Sequence, residues 1–205
     1  MEILSRFIVF EGLDGSGTST QMKLLEERLL HHHVPVTFTS EPTDRSIGRY
    51  IRTVLNREES VLPQTMAMLY AADRNEHVNG AENGIRKLAQ NRWVVCDRYI
   101  FSSLAYQSID CGYDFVRNLN SAFPLPEHLL FLDVPPEVCE ARLAARGNQD
   151  IFENTAFQQK VYLQYKEILS DFGNTPTRIH RIDGTQSADK VASDIWNELG
   201  FPPIV

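Results

Sequence analysis

The chain has 205 residues, 42% of them hydrophobic and 23% charged, which is the balance of an ordinary soluble globular protein able to bury most of its unfolded surface. A formal net charge of −7 argues against a protein that coats nucleic acid or binds an acidic membrane, so an anionic substrate needs a local cluster of arginines. Cys96, Cys111 and Cys139 are odd in number and lack metal-ligand spacing, and neither a signal-peptide pattern nor an apolar run near ~18 residues is present, so a cytoplasmic protein with reduced thiols is expected.

Ile8-Val9-Phe10 is a short apolar run, as expected of a central parallel strand covered on both faces. After a glycine-rich stretch, Met22, Leu24, Leu25, Leu29 and Leu30 recur at helical spacing up to about His31. His31-His32-His33 reads as histidines near the negative end of that helix, in preference to a metal tract. Val34 to Thr39 is a second strand, and the turn Glu41-Pro-Thr-Asp44 leads to a helix carrying Ile47, Ile51, Val54 and Leu55. A long helical region from Pro63 to about Gln90 is interrupted or bent at Gly80 and Gly84. Trp93 to Cys96 is a third strand ending at Asp97-Arg98-Tyr99, and Leu129 to Leu132 a fourth ending at Asp133. A helix begins at Pro135 or Pro136 and stops at Gly147; another spans about Thr155 to Asp171. A short strand covers Arg178 to Ile182, and a last helix follows Ser187.

Strands alternating with helices imply a three-layer α/β fold, a five-stranded parallel sheet flanked by helices, in one domain over residues 1–205. Ligands of such sheets sit outside the carboxyl ends of the strands. Glu11, Glu41, Asp97, Arg98 and Asp133 follow the apolar runs, so they are expected to cluster around the glycine-rich loop.

That loop carries the first chemical signal. A phosphate-binding loop reads Gly, four residues, Gly, Lys, then Ser or Thr. Gly12, Gly17 and Ser19 are in register, but Thr18 stands at the lysine position. An ordinary strand-to-helix turn needs only one or two glycines, so a nucleotide site is the better reading, with Ser19 offering a hydroxyl to Mg²⁺. Asp97-Arg98 after a buried strand is the second signal, since arginine there can grip a phosphate and the carboxylate can hold it or a metal-bound water. A structural ion pair at the sheet edge is the alternative. Tyr70 and Arg74 share a helical face that fits a flat base and a phosphate; a core tyrosine beside a surface arginine would give the same pattern. Ser102, Ser103, Tyr106 and Gln107 pair at i,i+4 spacing and present hydroxyls and an amide, a weak signal in isolation.

Together these residues resemble the thymidylate kinase family over nearly the whole chain. Phe10-Glu-Gly-Leu-Asp-Gly-Ser-Gly17 resembles its P-loop, Glu41-Pro42 its second-strand signature, and Tyr70 to Arg74 its base-stacking helix. Asp97-Arg-Tyr-Ile-Phe-Ser-Ser-Leu-Ala-Tyr-Gln107 resembles its most specific motif, and Leu132-Asp-Val134, with Arg142 and Arg146-Gly147, the run into a mobile lid at about 147–153. The resemblance implies a P-loop kinase that phosphorylates dTMP with ATP·Mg²⁺ by direct in-line transfer, acting as a homodimer paired through the helices around residues 45–90. It implies that Gly12, Leu13, Asp14, Gly15, Ser16, Gly17, Thr18, Ser19 and Thr20 surround the ATP phosphates. Ser19, and Asp97 through water, would serve the metal. Asp14 would contact the deoxyribose 3′-OH or the acceptor region, Tyr70 would stack on thymine, and Arg74, Ser103 and Gln107 would contact the base. Arg98, helped by Arg52, would hold the acceptor phosphate, and Tyr106 would disfavour a ribose hydroxyl. Arg146 would reach ATP when the lid closes, and Asp183-Gly184-Thr185 would border the adenine.

Two departures bear on catalysis: Thr18 replaces the P-loop lysine, and Ile151 stands where the lid arginine is expected. Each lost donor typically costs about 10²–10³ in rate. Arg142 and Arg146 are the expected compensators, with Arg98 and, less readily, Lys23 behind them. The rival readings are a deoxynucleoside kinase of related fold and a nucleotide-binding regulator without phosphotransfer.

Overall fold

The computed structural model describes residues 2–145 and 155–201. Five strands, β1 (Ile3–Gly12), β2 (Val36–Ser40), β3 (Trp93–Asp97), β4 (Leu125–Asp133) and β5 (Arg178–Asp183), form one parallel sheet in the order β2-β3-β1-β4-β5. Among the described residues the helices are α1 (Thr18–His31), α2 (Ser46–Leu55), α3 (Pro63–Asn79), α4 (Ile85–Leu88), α5 (Ile100–Tyr106), α6 (Ser108–Cys111), α7 (Tyr113–Asn120), α8 (Pro136–Ala145), α9 (Thr155–Asp171) and α10 (Ala188–Glu198).

The pleat sends successive side chains to opposite faces, and β1 serves both. Phe7 and Val9 join Val94, Cys96, Leu129 and Phe131 in one apolar cluster, where Phe101 of α5 and Tyr165 of α9 pack. Ile8 and Phe10 join Val95, Leu130 and Leu132 in the other, under Leu25 and Leu29 of α1 and Trp196 of α10. Each such side chain is essentially inaccessible and contributes roughly 1.5–3 kcal/mol by burial. His32 packs its ring 5.1 Å from Trp196, in keeping with the structural reading of the histidine run.

The N-terminal part of β1 differs from expectation: the strand starts at Ile3, with a bulge between Leu4 and Ile8 and Arg6 at φ 58°. The polar residues Ser5 and Arg6 interrupt the apolar run, hiding those first residues from a pattern reading. Asn79 ends the long helix, and Gly84 caps the separate turn α4, as the two glycines predict. Residues 100–120 fold as three short helices broken at Gln107 and Gly112. The expected helix stop at Gly147 and the expected lid lie outside the described residues.

Register aligns the carboxyl ends of the strands. Asp97 pairs with Phe10 on one side and Ser40 on the other, Glu11 with Phe131, and Asp133 with Asp183. The acidic residues that follow the apolar runs therefore share one edge of the sheet, below the loop of residues 13–17.

Candidate active site

The loop between β1 and α1 is built for close approach. Gly15 sits at φ 88° with the Cys139 carbonyl oxygen only 2.6 Å from where a Cβ would stand, and Gly17 caps α1 at φ 103°. No side chain caps α1 and no acidic residue occupies its first turn. Its first N–H groups and the positive end of its dipole are thus left to face an anion.

Three cavities surround the loop. The largest, about 680 Å³, is lined by Asp14, Arg52, Tyr70, Arg74, Asp97, Arg98, Ser103, Tyr106 and Gln107, which brings the whole expected acceptor set into one chamber. A second, about 350 Å³, lies between Gly15, Ser16, Gly17 and Thr20 on one side and Arg142, Gly184 and Gln186 on the other. Between them, about 120 Å³ is bounded by Leu13, Thr18, Ser19, Asp97 and Arg98, and Arg98 is its one cationic lining residue among those described.

Arg98 stands where the first and third cavities meet. Its backbone N–H donates to the Phe10 carbonyl (2.9 Å), extending the β1–β3 pairing one residue past the strand, and its φ of 65° turns the side chain over the loop. The guanidinium donates to Asp14 Oδ1 (2.6 Å) and Ser102 Oγ (3.1 Å) and lies 5.3 Å from the Tyr106 ring centroid. Beside it, burial raises the Asp97 pKa, while Arg98 and a hydrogen bond from Thr18 oppose that shift. Thr18 thus places a hydroxyl against Asp97 where the P-loop pattern has a lysine. Burial likewise pushes the Tyr106 phenol up to about 12.

At the other end of the large cavity, Arg74 is buried, not the surface arginine that helical spacing alone allows. Nε and Nη2 grip Glu41 Oε2 (2.8 and 2.7 Å), Nη2 also donates to Ser103 Oγ (3.0 Å), and Nη1 donates to Asn120 Oδ1. One guanidinium N–H has no partner among the described residues. His77 holds Glu41 from behind (Nδ1 to Oε1, 2.9 Å) and meets Thr39 Oγ1 with Nε2 (2.7 Å). Tyr70 lines the same end, one helical turn before Arg74. Arg52 reaches the rim but donates to the Thr43 (2.7 Å) and Pro42 (2.5 Å) carbonyls and pairs with Asp44.

Beneath Arg98 lies Glu11, wholly buried, its carboxyl pushed up to about 7 by that burial against the hydrogen bonds it accepts. The Tyr99 and Ser102 N–H groups donate to Oε1 (2.8 and 3.1 Å), and the Ser102 and Tyr165 hydroxyls donate to Oε2.

Comparison with known proteins accords with this geometry. Residues 10–195 match the family model described as thymidylate kinase. A protein of Treponema pallidum provisionally named thymidylate kinase is 45% identical over 82% of this chain and 81% of its own length. Similarly named proteins of Methanococcus vannielii (40% identical, 96% and 94% covered) and Pyrococcus abyssi (34%, 92% and 93%) align over nearly everything. The chain belongs to the thymidylate kinase family.

For a thymidylate kinase with Thr18 in its loop, the position of Arg142 bears on which cation compensates. Its Nη1 donates to the Ser16 carbonyl (3.1 Å) and Nη2 to the Gly184 carbonyl (2.8 Å), clamping the loop to the turn after β5. It lines the second cavity, with Gly15, Ser16, Gly17 and Thr20, and neither of those at which Thr18, Asp97 and Arg98 meet. Exposed Lys23 lines none of the three cavities. Arg146 and Ile151 lie outside the described residues.

Several residues lining the site or bracing it from behind escaped sequence reasoning. Phe157 and Gln158 of α9 enter the large cavity, and Asn120 at the end of α7 completes the Arg74 cage. Tyr165 falls in the stripe Phe157, Val161, Tyr165, which reads as a core face; only the phenol hydroxyl, amid apolar neighbours, signals that a buried partner is required.

Proposed function

We propose that the chain transfers the terminal phosphoryl group of ATP to dTMP, giving ADP and dTDP, by direct in-line displacement. The observation that carries this reading is the junction at Arg98: one guanidinium borders both the chamber with the aromatic plate and the space under the loop's first helical turn. A base stacked on Tyr70, with one edge toward Arg74 and Gln107, sends its 5′-phosphate toward Arg98. ATP enters from the second cavity with its phosphates along residues 13–20 and its adenine against the wall formed by Arg142 and Gly184. The acceptor is already a phosphate anion, so no strong general base is required, and positioning with charge stabilisation does the chemistry.

Mg²⁺ fits the donor set. The described residues contain no cluster of three His, Cys, Asp or Glu able to hold a metal, which suits an ion that keeps its waters and takes ligands mainly from nucleotide phosphates. Ser19 would offer its hydroxyl, and Asp97, whose buried Oδ1 has no hydrogen-bond partner among the described residues, would accept from a metal-bound water. The ion neutralises phosphate charge when bound.

Thr18 favours one second reading, a nucleotide-binding regulator without turnover. Assaying ADP release with dTMP, dUMP or thymidine as acceptor, in wild type and Thr18→Lys, separates the readings. Turnover of dTMP above the other two supports the kinase. Tight binding of ATP and dTMP with no turnover in wild type supports the regulator, and turnover of thymidine but not dTMP supports a deoxynucleoside kinase.

The proposal includes a homodimer in the cytoplasm. Leu55, Leu62 and Met68, which are 54%, 70% and 51% exposed on α2, α3 and their connection, offer an apolar face for pairing. No helix among the described residues is long and apolar enough to cross a membrane. Light scattering on the purified chain tests the pairing, with dimer mass expected.

A further inference from the structure

Among the described residues, the Arg98 guanidinium makes two hydrogen bonds of different kinds, to Asp14 and to Ser102. Asp14, its first partner, is 57% exposed and stands in the chamber where the acceptor phosphate is expected. A phosphate entering there competes with that carboxylate for the guanidinium, because arginine meets phosphate and carboxylate with the same bidentate face. Ser102, its second partner, is half-buried at the chamber wall, and its hydroxyl is tied to Glu11 and Tyr165 behind it. Once Asp14 is displaced, Ser102 is the hydrogen bond that remains among the described residues to fix where the charge sits.

A serine hydroxyl has one hydrogen and two lone pairs. To accept from Arg98 it must present a lone pair, so its hydrogen has to point elsewhere. Glu11 Oε2 takes that hydrogen, and it takes the Tyr165 hydroxyl hydrogen too, at 2.8 Å; the two hydroxyl oxygens are themselves 2.9 Å apart. Glu11 Oε1 is meanwhile filled by the Tyr99 and Ser102 N–H groups. An ionised Glu11 thus accepts from four donors at once, and this arrangement leaves the Ser102 lone pair aimed at Arg98. With a proton on Oε2, Ser102 or Tyr165 must turn its own hydrogen away to accept it.

We propose that Glu11 and Tyr165 are positioning residues, which act through Ser102 to keep the Arg98 guanidinium in place as it exchanges Asp14 for the substrate's phosphate. This rests on Arg98 holding the acceptor phosphate. Neither residue touches the substrate: both side chains are fully buried, and neither lines the chamber. Their effect is therefore confined to ligands that engage Arg98. The titratable and charged groups that act on Glu11 are Arg98, Tyr165 from α9, Tyr99 and Tyr106 beside and on α5, and Cys96 from β3. With the carboxyl near neutrality, Arg98 is well held above pH about 7 and less so below it.

The test compares dTMP with thymidine by calorimetry at pH 8, using wild type, Tyr165→Phe and Glu11→Gln. Tyr165→Phe keeps the ring that packs in the core and removes one donor, so it is the variant chosen to stay folded. We expect it to weaken dTMP roughly five- to tenfold, the scale of one hydrogen bond to a charged group, with thymidine unchanged within twofold. In steady state the same variant raises KM for dTMP and leaves KM for ATP unchanged. Glu11→Gln removes the acidic-side loss of dTMP affinity that remains in wild type after correction for the phosphate's own titration. Equal losses for dTMP and thymidine would show a merely structural role and overturn the proposal, as would unchanged dTMP affinity in Tyr165→Phe. Failure of wild type to bind dTMP at all would overturn the kinase reading instead.

Discussion

The proposed acceptor chamber and the proposed donor side of the loop are made of different materials. Around the acceptor, recognition is delegated to side chains, each braced by another: Arg74 by Glu41, Ser103 and Asn120, Glu41 by His77, and Arg98 by Asp14 and Ser102. On the donor side it is delegated to backbone, a glycine loop and an uncapped helix start, with Arg142 serving as a clamp on carbonyls. Any nucleotide triphosphate has phosphates to offer a helix N-terminus, whereas a particular monophosphate must be told from its relatives by shape and hydrogen bonds. In the proposed arrangement, the side that must discriminate is the side built from braced side chains.

The largest test of this contrast removes a brace. Glu41→Ala leaves Arg74 buried without its carboxylate, and loss of one partner of such a pair costs about 3–5 kcal/mol; denaturant midpoints should fall accordingly and dTMP binding should vanish. Arg98→Ala should leave the fold intact and lower kcat/KM for dTMP by about 10²–10³, as for loss of a preorganised donor at a charged centre. Gly15→Ala attacks the other side. Its Cβ meets the Cys139 carbonyl in a left-handed backbone, at a cost of about 1–3 kcal/mol, so ATP should bind more weakly while thymidine binding is preserved. If Gly15→Ala weakens thymidine as much as ATP, the two sides are not separable.

The smallest expected effect is a net one. Burial lowers His128 to about 4; it sits far from the site, stacked on His180, which is in turn hydrogen-bonded to Glu198. Its contribution to stability is present above the ordinary value of 6.5 and is lost as pH falls through about 4. Glu11 behaves oppositely: its raised pKa contributes stability that is complete below 4.5 and is lost as pH rises through about 7. Between those limits the two slopes oppose each other. Melting temperatures of wild type should therefore vary little from pH 4.5 to 7, fall with rising pH in His128→Gln, and fall with declining pH in Glu11→Gln.

How far the sequence reveals this molecule depends on where its constraints are local. Val94-Val95-Cys96 and Leu129 to Leu132 announce central strands because both their faces are covered, and each ends at the acidic residue that marks the ligand edge. Tyr70 and Arg74 are legible as a pair because four residues make one helical turn. The cage around Arg74 is not, since Glu41, Ser103 and Asn120 come from 33, 29 and 46 residues away. The direction of Arg142 was equally hidden, for its partners Ser16 and Gly184 lie on two other connections. Spacing within one element reports which face a residue shares, but not what the fold brings to meet it.

The bulge near the start of β1 has a practical corollary. Glu11 follows Phe7 and Val9 in a single odd-numbered row, so its burial is a matter of parity: one residue inserted between Phe7 and Glu11 would hand its place to a neighbour and dismantle the Arg98 anchor. The bulge sits upstream of that row and already absorbs a change of register. Length changes before Arg6 should consequently be forgiven, and this is the place at which to join a tag or a fusion partner without disturbing the far end of the strand.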